Sequence, residues 1–398
     1  MRIAVISVHG CPCIQPGGTD AGGMNVYVDQ VAHRLKSLGD AVVVYSRTHP
    51  GIENDIESLG YQLVHVPVGE ITLPKDRIPE TLSDFTTAVE SDAAVNNRTF
   101  DLVTSHYWLS GVVGCELVRS WTVPHITSFH TLASIKTRVR PEEDEPEIRF
   151  LNEPRVARDA DVIIAWTEGE AEHITREFNA PIDKIAIVPP GVDTERFVSS
   201  PNSSDTRARK RILYVGRLDA LKGVDLLIEA FALVVGRGVD AELQIVGGGS
   251  ADEFRRVLGR TSQLRLTDRV KLPGVLPQSG LPEIYSNSDC IVAPSFHETF
   301  GLAVLEAAAC ETPAIAADVD GLRAIVVDGE TGYLVRERNA QLYADKIVEL
   351  MGNDMLRLDM SKAARKRAET LSWDATVSGL VNVYNRIAKP RLSTAALR

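Results

Sequence analysis

The sequence predicts an α/β protein with two domains, each a doubly wound parallel sheet covered by helices on both faces. Short apolar strands alternate with amphipathic helices along most of the 398 residues, a pattern typical of parallel sheets. The alternation stops in a polar, turn-rich stretch and then restarts. A chain of this length, 44% hydrophobic, is long for one domain and has enough apolar residues for two cores.

In the first domain, residues 1–190, period and composition predict six strands and three helices. The strands are 2–8, 41–46, 101–105, 125–129, 161–166 and 185–188, and the helices are 23–38, 109–119 and 168–178. Residues 190–210 follow, rich in Pro, Ser, Asn and Asp. We expect this stretch to link the domains.

The second domain, residues 191–372, repeats the alternation. Its strands are 211–215, 241–246, 269–272, 290–293, 313–316 and 332–335, and its helices are 224–236, 301–310 and 340–352. The pattern is helical from residue 354 to about 388. The last helix, 373–389, is expected to pack back on the first domain.

Charge and composition exclude several classes of protein. The net charge of −11 disfavours general binding to nucleic acid or anionic membranes. No apolar run reaches 18 residues and the first strand does not resemble a signal peptide, so a cytoplasmic protein is expected. Five cysteines without a framework favour a reducing compartment. Cys11-Pro-Cys13 could be a metal or redox pair, but it lacks the usual two-residue gap, which favours ordinary thiols.

The most informative motif is Glu298 and Glu306, separated by seven residues after strand 290–293. A helix beginning near Gly301 leaves Glu298 on the preceding loop and places Glu306 about a turn and a half inside. Carboxylates can bind sugar or ribose hydroxyls, and the N–H groups of a helix start can bind phosphate. The arrangement suits a sugar diphosphate. The pair alone is equally compatible with two solvated acids.

Two further segments suit a diphosphate. A glycine-rich loop follows the first strand and opens a helix after Gly22 and Gly23, so backbone N–H groups can approach a phosphate there. It lacks the dinucleotide-binding spacing, which disfavours a dehydrogenase. Arg217 and Lys222 follow the first strand of the second domain and could neutralise a leaving diphosphate. Taken alone, they are equally well explained as surface cations.

A histidine and four scattered groups complete the candidate set. His130 follows strand 125–129 and could contact a transferred sugar, although a lone histidine is more often structural. Four groups from separate segments could bind a phosphate on an acceptor: Lys75, Tyr107, Thr131 and Arg149. Because they are scattered, their residue types alone favour unrelated surface positions.

Taken together, these motifs resemble those of the retaining glycosyltransferases of family 4, over nearly the whole chain. The general marks are Glu298 with Glu306, Gly216-Arg-Leu-x3-Lys-Gly223, and Pro190-Gly-Val-Asp193. A closer similarity is to the D-inositol-3-phosphate glycosyltransferases of mycothiol biosynthesis, and a looser one is to sucrose-phosphate synthases. The closer similarity is carried by segments 15–17, 22–27, 105–111 and 130–133. One departure is a shorter, acidic loop over residues 137–146.

The resemblance implies the GT-B fold, in which two Rossmann-like domains face each other across a cleft. It implies a donor-binding set of His9, Gly22, Gly23, Asn25, Arg217, Lys222, Glu298, Gly301, Leu302, Glu306 and Thr312. It implies an acceptor-binding set of Asn25, Lys75, Tyr107, Thr131 and Arg149. It implies a catalytic set of His130, Arg217, Lys222 and Glu298.

The implied reaction is transfer of a sugar, with N-acetylglucosamine as the leading expectation, from a UDP-sugar to a phosphorylated polyol such as 1D-myo-inositol 3-phosphate. One alternative is transfer from UDP-glucose to a sugar phosphate or another acceptor. A nucleotide-sugar epimerase and a non-catalytic nucleotide-sugar binder are alternatives from other classes. No cofactor, metal site or essential divalent metal is expected, because no Asp-x-Asp motif lies on a suitable loop. The expected partners are the small-molecule donor and acceptor, without nucleic acid, in a possible homodimer.

Overall fold

The computed structural model describes residues 1–14, 22–50, 59–139, 145–199 and 209–388. Motif 15–17, the acidic residues 142–144, linker residues 200–208 and the end of the predicted last helix therefore lie outside the described residues. The contacts divide the chain into two compact units. The first contains Met1–Cys13, Tyr27–Val188 and the chain from Thr376 onward, and the second contains Ile14–Val26 and Pro189–Ala375.

The first unit is built on a seven-stranded sheet in which every neighbouring pair is parallel. Its strands are β1 (Arg2–Ile6), β2 (Ala41–Arg47), β3 (Gln62–Val66), β4 (Leu102–His106), β5 (His125–Ser128), β6 (Val162–Ala165) and β7 (Ile185–Ile187). Their order is β3-β2-β1-β4-β5-β6-β7. The central strands β4, β5 and β6 are buried at every residue; β6 is wholly apolar, as is typical of a parallel sheet, whereas β4 and β5 also contain buried Ser, Thr and His residues.

Six helices that precede the linker belong wholly or mainly to this unit. They are α1 (Gly23–Ser37), α2 (Leu82–Val95), α3 (Tyr107–Trp121), α4 (Ala133–Val139), α5 (Glu147–Asp159) and α6 (Glu168–Phe178). One core cluster packs Phe129 beyond β5 against Val156 of α5 and Ile163 of β6.

The second unit has a six-stranded sheet, also parallel throughout. Its strands are β8 (Lys210–Val215), β9 (Ala241–Val246), β10 (Val270–Gly274), β11 (Cys290–Ala293), β12 (Ala314–Ala317) and β13 (Gly332–Val335), in the order β10-β9-β8-β11-β12-β13. Its helices are α7 (Val224–Gly236), α8 (Ala251–Gln263), α9 (Leu281–Ser286), α10 (Leu302–Ala309), α11 (Asp320–Arg323), α12 (Ala340–Gly352) and α13 (Asp354–Thr370). Its core includes Phe231 of α7 and Ile347 of α12, both fully buried.

The last described helix is α14 (Trp373–Ile387), and its residues from Thr376 onward belong to the first unit. Within the described residues, no helix combines the length and apolar character needed to cross a membrane.

The predicted alternation of strands and helices is confirmed, and most element bounds agree within two residues. Strand 2–8 ends earlier, at Ile6, and helix 109–119 begins earlier, at Tyr107. The sequence interpretation omitted β3, α2, α4, α5, α8, α9 and α11. Two of these have weak patterns: β3 is a partly exposed edge strand, and α5 is mostly polar and contains Pro154.

The strand order identifies the place in each sheet where a ligand can bind. Successive strands are added in opposite directions from β1, at the β1–β4 boundary, and from β8, at the β8–β11 boundary. Loops leaving the carboxyl ends of such neighbouring strands diverge and leave room for a ligand. His9 and Tyr107 follow β1 and β4, while Lys222 and Glu298 follow β8 and β11.

Candidate active site

Lys222 and Glu298 form an ion pair at the switch point of the second sheet. Lys222 ends a 3₁₀ turn after β8, and its Nζ lies 2.6 Å from Oε2 of Glu298. The two side chains are 23% and 21% exposed, so solvent reaches both. The pairing brings together a cation expected at the diphosphate and a carboxylate expected at the sugar.

The turn that carries Lys222 requires a glycine. Asp219 caps the turn by accepting a hydrogen bond of 2.9 Å from the Leu221 N–H group. Gly223 has a φ of +73°, and a Cβ there would lie 2.2 Å from the carbonyl oxygen of Pro294. Glycine alone permits both this conformation and this approach. The turn therefore lies directly against the loop after β11, from which Glu298 extends.

Arg217 is more exposed to solvent than Lys222. Its side chain is 49% exposed, and its guanidinium lies 3.5 Å from the Asp219 carboxylate. The Tyr214 hydroxyl donates a 2.6 Å hydrogen bond to the Arg217 carbonyl, which fixes the backbone. The Asp219 side chain is only 9% exposed, but the contact is long and the guanidinium faces solvent, so the guanidinium can turn to an incoming anion.

Glu306 lies on α10 with a different set of partners. The Tyr285 hydroxyl donates a 2.8 Å hydrogen bond to Oε2 of Glu306. Burial raises the pKa of Glu306 to about 7, although the hydrogen bond from Tyr285 and the charge of Arg196 act to lower it. The carboxyl is therefore only partly ionised at neutral pH.

Thr312 stabilises the position of Tyr285, the hydrogen-bond partner of Glu306. It is 1% exposed, and its hydroxyl donates a 2.7 Å hydrogen bond to the carbonyl of Tyr285. Sequence reasoning placed Thr312 near a ribose. That stays a prediction; in the structure the Thr312 hydroxyl bonds to the backbone of Tyr285 and so positions the tyrosine that contacts Glu306.

Two helix starts lie together in the second unit. Gly301 precedes α10 with a φ of +100°, and Gly23 opens α1 so close to Leu302 that a Cβ there would lie 3.2 Å from Leu302 Cδ1. The start of α1 is fixed by Asn25, whose Oδ1 accepts a 3.1 Å hydrogen bond from the Gly22 N–H group. Two helix starts offer two sets of N–H groups and two positive dipole ends, which suits an anion.

In the first unit, the structure brings together the four groups that the sequence left scattered. The Lys75 ammonium lies 5.2 Å from the ring centroid of Tyr107, and the Arg149 guanidinium carbon lies 4.9 Å from it. Nη2 of Arg149 donates to the Thr131 carbonyl at 2.8 Å and to its hydroxyl at 3.1 Å. Two cations, the ring of Tyr107 and the Thr131 hydroxyl therefore meet beyond the ends of β4 and β5.

Arg149 is nevertheless paired with carboxylates. It is 1% exposed. Its Nε donates to Glu153 at 2.6 Å and its Nη1 to Glu145 at 2.7 Å. Burial acts to raise the pKa of Glu145, but Lys136 and Arg149 together lower it, so Glu145 is an anion. A contact between Arg149 and an acceptor phosphate, as expected from the sequence, therefore requires Glu145 to leave Arg149.

Three histidines lie beside this pocket. Nδ1 of His106 and Nε2 of His130 are 3.0 Å apart, and burial lowers the pKa of both rings, that of His106 to about 3. The ring of His9 lies 4.5 Å from that of Tyr107. Within the described residues, Nδ1 of His9 and Nδ1 of His130 have no hydrogen-bond partner. Two neutral imidazole nitrogens can therefore bond to a ligand hydroxyl.

His130 has an unusual backbone. Its φ is +61°, and the Thr131 N–H group donates a 2.7 Å hydrogen bond to the Phe129 carbonyl across it. A three-residue turn of this kind is strained for a residue other than glycine. The turn holds the imidazole against His106 at the end of β5.

Sequence reasoning missed several of these residues. Glu145 and Glu153 lie four residues before and after Arg149, a spacing that predicts ion pairs on a helix face; that signal was available. Nothing in the sequence marks Tyr285 or His106 as partners of Glu306 and His130, because each pair depends on tertiary contact.

Comparison with known proteins places the chain in a family. Residues 22–191 match the "Glycosyl transferase 4-like domain" family and residues 199–367 match "Glycosyl transferases group 1". The D-inositol 3-phosphate glycosyltransferase of Corynebacterium glutamicum (strain R) is 35% identical over 406 residues, which cover 97% of this chain and 96% of the relative. The chain belongs to glycosyltransferase family 4. Another family 4 relative, the D-inositol 3-phosphate glycosyltransferase of Thermomonospora curvata, is 37% identical, with 99% and 97% coverage.

Solved structures agree with this assignment. The sucrose-phosphate synthase of Thermosynechococcus elongatus is 30% identical, with a TM-score of 0.88 and coverage of 97% of this chain and 98% of the synthase. Anabaena HepE in complex with UDP is 18% identical with a TM-score of 0.80, covers 97% of this chain and 100% of its own, and shares the fold. The predictions of a GT-B fold and of a family 4 glycosyltransferase are confirmed.

Proposed function

We propose that this family 4 glycosyltransferase transfers a sugar from a UDP-sugar to a hydroxyl of a phosphorylated polyol, with retention of configuration. N-acetylglucosamine and 1D-myo-inositol 3-phosphate are the proposed pair. The observation that carries the proposal is the assembly of Lys75, Thr131 and Arg149 around Tyr107. The D-inositol 3-phosphate glycosyltransferases among the relatives support it.

On the donor side, the positive groups are assigned to the diphosphate. Arg217, Lys222 and the starts of α1 and α10 neutralise the charge that develops as the bond from the sugar C1 to the diphosphate breaks. Glu298, held by Lys222, accepts hydrogen bonds from hydroxyls of the transferred sugar. Glu306 accepts hydrogen bonds from the ribose. A bound UDP in HepE supports this nucleotide.

The reaction needs no enzymic nucleophile. The acceptor oxygen attacks C1 on the face from which the diphosphate leaves, and the leaving phosphate takes the acceptor proton. The protein contributes position and electrostatic stabilisation. The buried nitrogen Nδ1 of His130 is assigned to a sugar hydroxyl, which fixes the orientation of the transferred ring.

On the acceptor side, the phosphate is proposed to replace Glu145. A phosphate monoester carries about two negative charges near neutral pH, and it can therefore compete with one carboxylate for Arg149 and Lys136. Lys75 and the Thr131 hydroxyl complete its contacts. A neutral polyol cannot make this exchange, which gives the site its preference for a charged acceptor.

The test is a panel of donors and acceptors with UDP release as the readout. Lys75 is the residue to change, because it is exposed. Removing Arg149 would instead leave the buried carboxylate of Glu153 without its cation. Lys75→Met should raise the KM for the phosphorylated acceptor by about tenfold to a hundredfold and leave the KM for the donor unchanged. Arg77→Met, an exposed cation on the same turn, is the matched control. Equal use of inositol and inositol 3-phosphate would refute the phosphate site.

A second candidate is transfer of glucose from UDP-glucose to a sugar phosphate. The sucrose-phosphate synthase of T. elongatus, with its identity of 30% and TM-score of 0.88, favours it. The same phosphate contacts serve both candidates, so the acceptor arms of the panel separate them. Faster turnover with UDP-glucose and a hexose phosphate than with inositol 3-phosphate would select this candidate. UDP-sugar isomerisation without an acceptor would instead indicate an epimerase.

A further inference from the structure

Four side chains with metal-binding atoms meet at one edge of the first sheet, and none of them is among the groups assigned above. Cys11 and Cys13 follow β1, His49 follows β2, and His65 lies near the end of β3. The sulfur and nitrogen atoms of all four lie within 4.8 Å of one another. Neither cysteine is in a disulfide. The sequence favoured ordinary thiols, because Cys11-Pro-Cys13 lacks the usual two-residue gap; the two histidines were not considered as their partners.

Strand pairing brings these residues together. β1, β2 and β3 are adjacent and parallel, so their carboxyl ends share one edge. Ser46 pairs with His65 across β2 and β3, and the Thr48 N–H group donates a 3.0 Å hydrogen bond to the Val66 carbonyl. This backbone register, and not a chance contact of long side chains, sets His49 beside His65.

The distances suit one tetrahedral ion. Sγ of Cys11 lies 3.0 Å from Sγ of Cys13 and 3.2 Å from Nε2 of His65. Sγ of Cys13 lies 3.7 Å from Nε2 of His49 and 4.0 Å from Nε2 of His65. A zinc ion with bonds of about 2.3 Å to sulfur and about 2.0 Å to nitrogen has ligand atoms roughly 3.3–3.8 Å apart. The observed separations bracket that range.

The orientation of His49 is also that of a metal ligand. Its Nδ1 lies 2.8 Å from the carbonyl oxygen of Pro50. A carbonyl only accepts, so Nδ1 carries the proton and Nε2 presents its lone pair toward Cys13. Metal-binding histidines are commonly held by this kind of bond. The rings of His49 and His65 meet edge to face, with centroids 5.4 Å apart, so both Nε2 atoms can approach one centre.

We propose that Cys11, Cys13, His49 and His65 bind one Zn²⁺ ion in a closed structural site. Two thiolates and two imidazoles in a tetrahedral arrangement favour zinc over harder cations. Four protein ligands leave no open position for a substrate, as in structural zinc sites. Cys13 and Gly22 flank the glycine-rich segment of the sequence that leads into α1. The ion therefore fixes the chain at the entry to that segment.

The first measurement is the metal content of the full chain, purified without a metal-affinity tag under reducing conditions. We expect about one zinc per chain by mass spectrometry of the elements. Cobalt added to chelator-treated protein should give the visible bands of a tetrahedral site and a thiolate-to-cobalt charge-transfer band. A wild-type chain without zinc that shows only octahedral cobalt would overturn the proposal. So would an intact Cys11–Cys13 disulfide in metal-free protein prepared without oxygen.

Variants identify the ligands. Cys13→Ser and His49→Gln should each lower zinc affinity at least about a hundredfold, and Cys13→Ser should weaken the charge-transfer band. Cys115→Ser is a matched control, since Cys115 is a buried cysteine whose sulfur lies 3.7 Å from a ring nitrogen of His125. His33→Gln is the histidine control. Full zinc retention in the ligand variants would refute the assignment. If a ligand variant does not fold, the cobalt spectrum of the wild type still decides.

Discussion

Glu306 should make donor binding depend on pH near neutrality. Burial raises the pKa of its carboxyl to about 7, and a carboxyl that accepts hydrogen bonds from two ribose hydroxyls must be ionised. With a pKa of about 7, roughly 9% of Glu306 is ionised at pH 6 and roughly 91% at pH 8. Because only the ionised fraction binds, the apparent Kd for the donor should fall about tenfold over this range.

Calorimetry with UDP-N-acetylglucosamine measures this dependence. The sugar nucleotide is preferable to UDP, whose terminal phosphate itself titrates near neutral pH. Glu306→Gln should bind more weakly and show no such dependence. Tyr285→Phe removes a hydrogen bond that lowers the pKa of Glu306, so it should move the midpoint to higher pH. Glu311→Gln, an exposed acid just beyond α10, should behave as the wild type does.

The same pKa predicts a linked effect on stability. The folded state holds the Glu306 proton more tightly than the unfolded state does, so the free energy of unfolding should fall as pH rises from about 4.5 to about 7. Glu306→Gln should lose this contribution. A wild-type donor affinity that stays constant from pH 6 to pH 8, or an equal slope in Glu306→Gln, would refute the assignment of Glu306 to the ribose.

Three further predictions follow from the two units. Lys222→Met should lower kcat/KM by about 10²–10³, since it removes charge at the diphosphate and the partner of Glu298; near-normal turnover would contradict that role. Gly223→Ala should lower the free energy of unfolding about 1–3 kcal/mol more than Gly238→Ala, because both have positive φ but only Gly223 meets a backbone carbonyl. Chemical denaturation measures the difference, and equal losses would exclude the clash. Glu145→Gln should lower the KM for a phosphorylated acceptor about tenfold in steady-state kinetics, and a raised KM would show that Glu145 supports the pocket instead.

The fold could be predicted because strands of a parallel sheet are buried on both faces. β6 and β12 are buried throughout, so they read as short apolar runs between helices. β3 is different, because it is an edge strand whose middle residues are half-buried. Its polar residues interrupt the apolar run that is typical of a buried strand. Edge position and partial exposure therefore explain the omission better than a failure of the alternation rule.

The sequence predicted which residues lie at the carboxyl edge of the sheet, but it did not predict which of them contact each other. Residues directly after an apolar run must lie at the carboxyl edge of the sheet, which located Lys222 and Glu298 without any structure. Their ion pair joins residues 76 positions apart, and only the β8–β11 pairing makes it possible. Similarly, the omission of β3 removed His65 from consideration, and Cys11 and Cys13 then lacked a visible partner.

Arg149 shows how burial changes the meaning of a motif residue. A buried guanidinium in an acidic chain needs anions; α5 supplies Glu153, and Glu145 lies two residues before α5. The two carboxylates have different surroundings. Glu153 is 1% exposed and also accepts a 2.9 Å hydrogen bond from the Ala133 N–H group. Glu145 instead forms a second ion pair, with Lys136, whose side chain is 40% exposed. In the proposed exchange, Glu153 would therefore stay and orient the guanidinium, and Glu145 would be the partner that the phosphate replaces. While Glu145 is bound, the charges of Lys136, Arg149 and the two glutamates cancel; once it leaves, these groups and Lys75 carry two positive charges, which match a phosphate dianion.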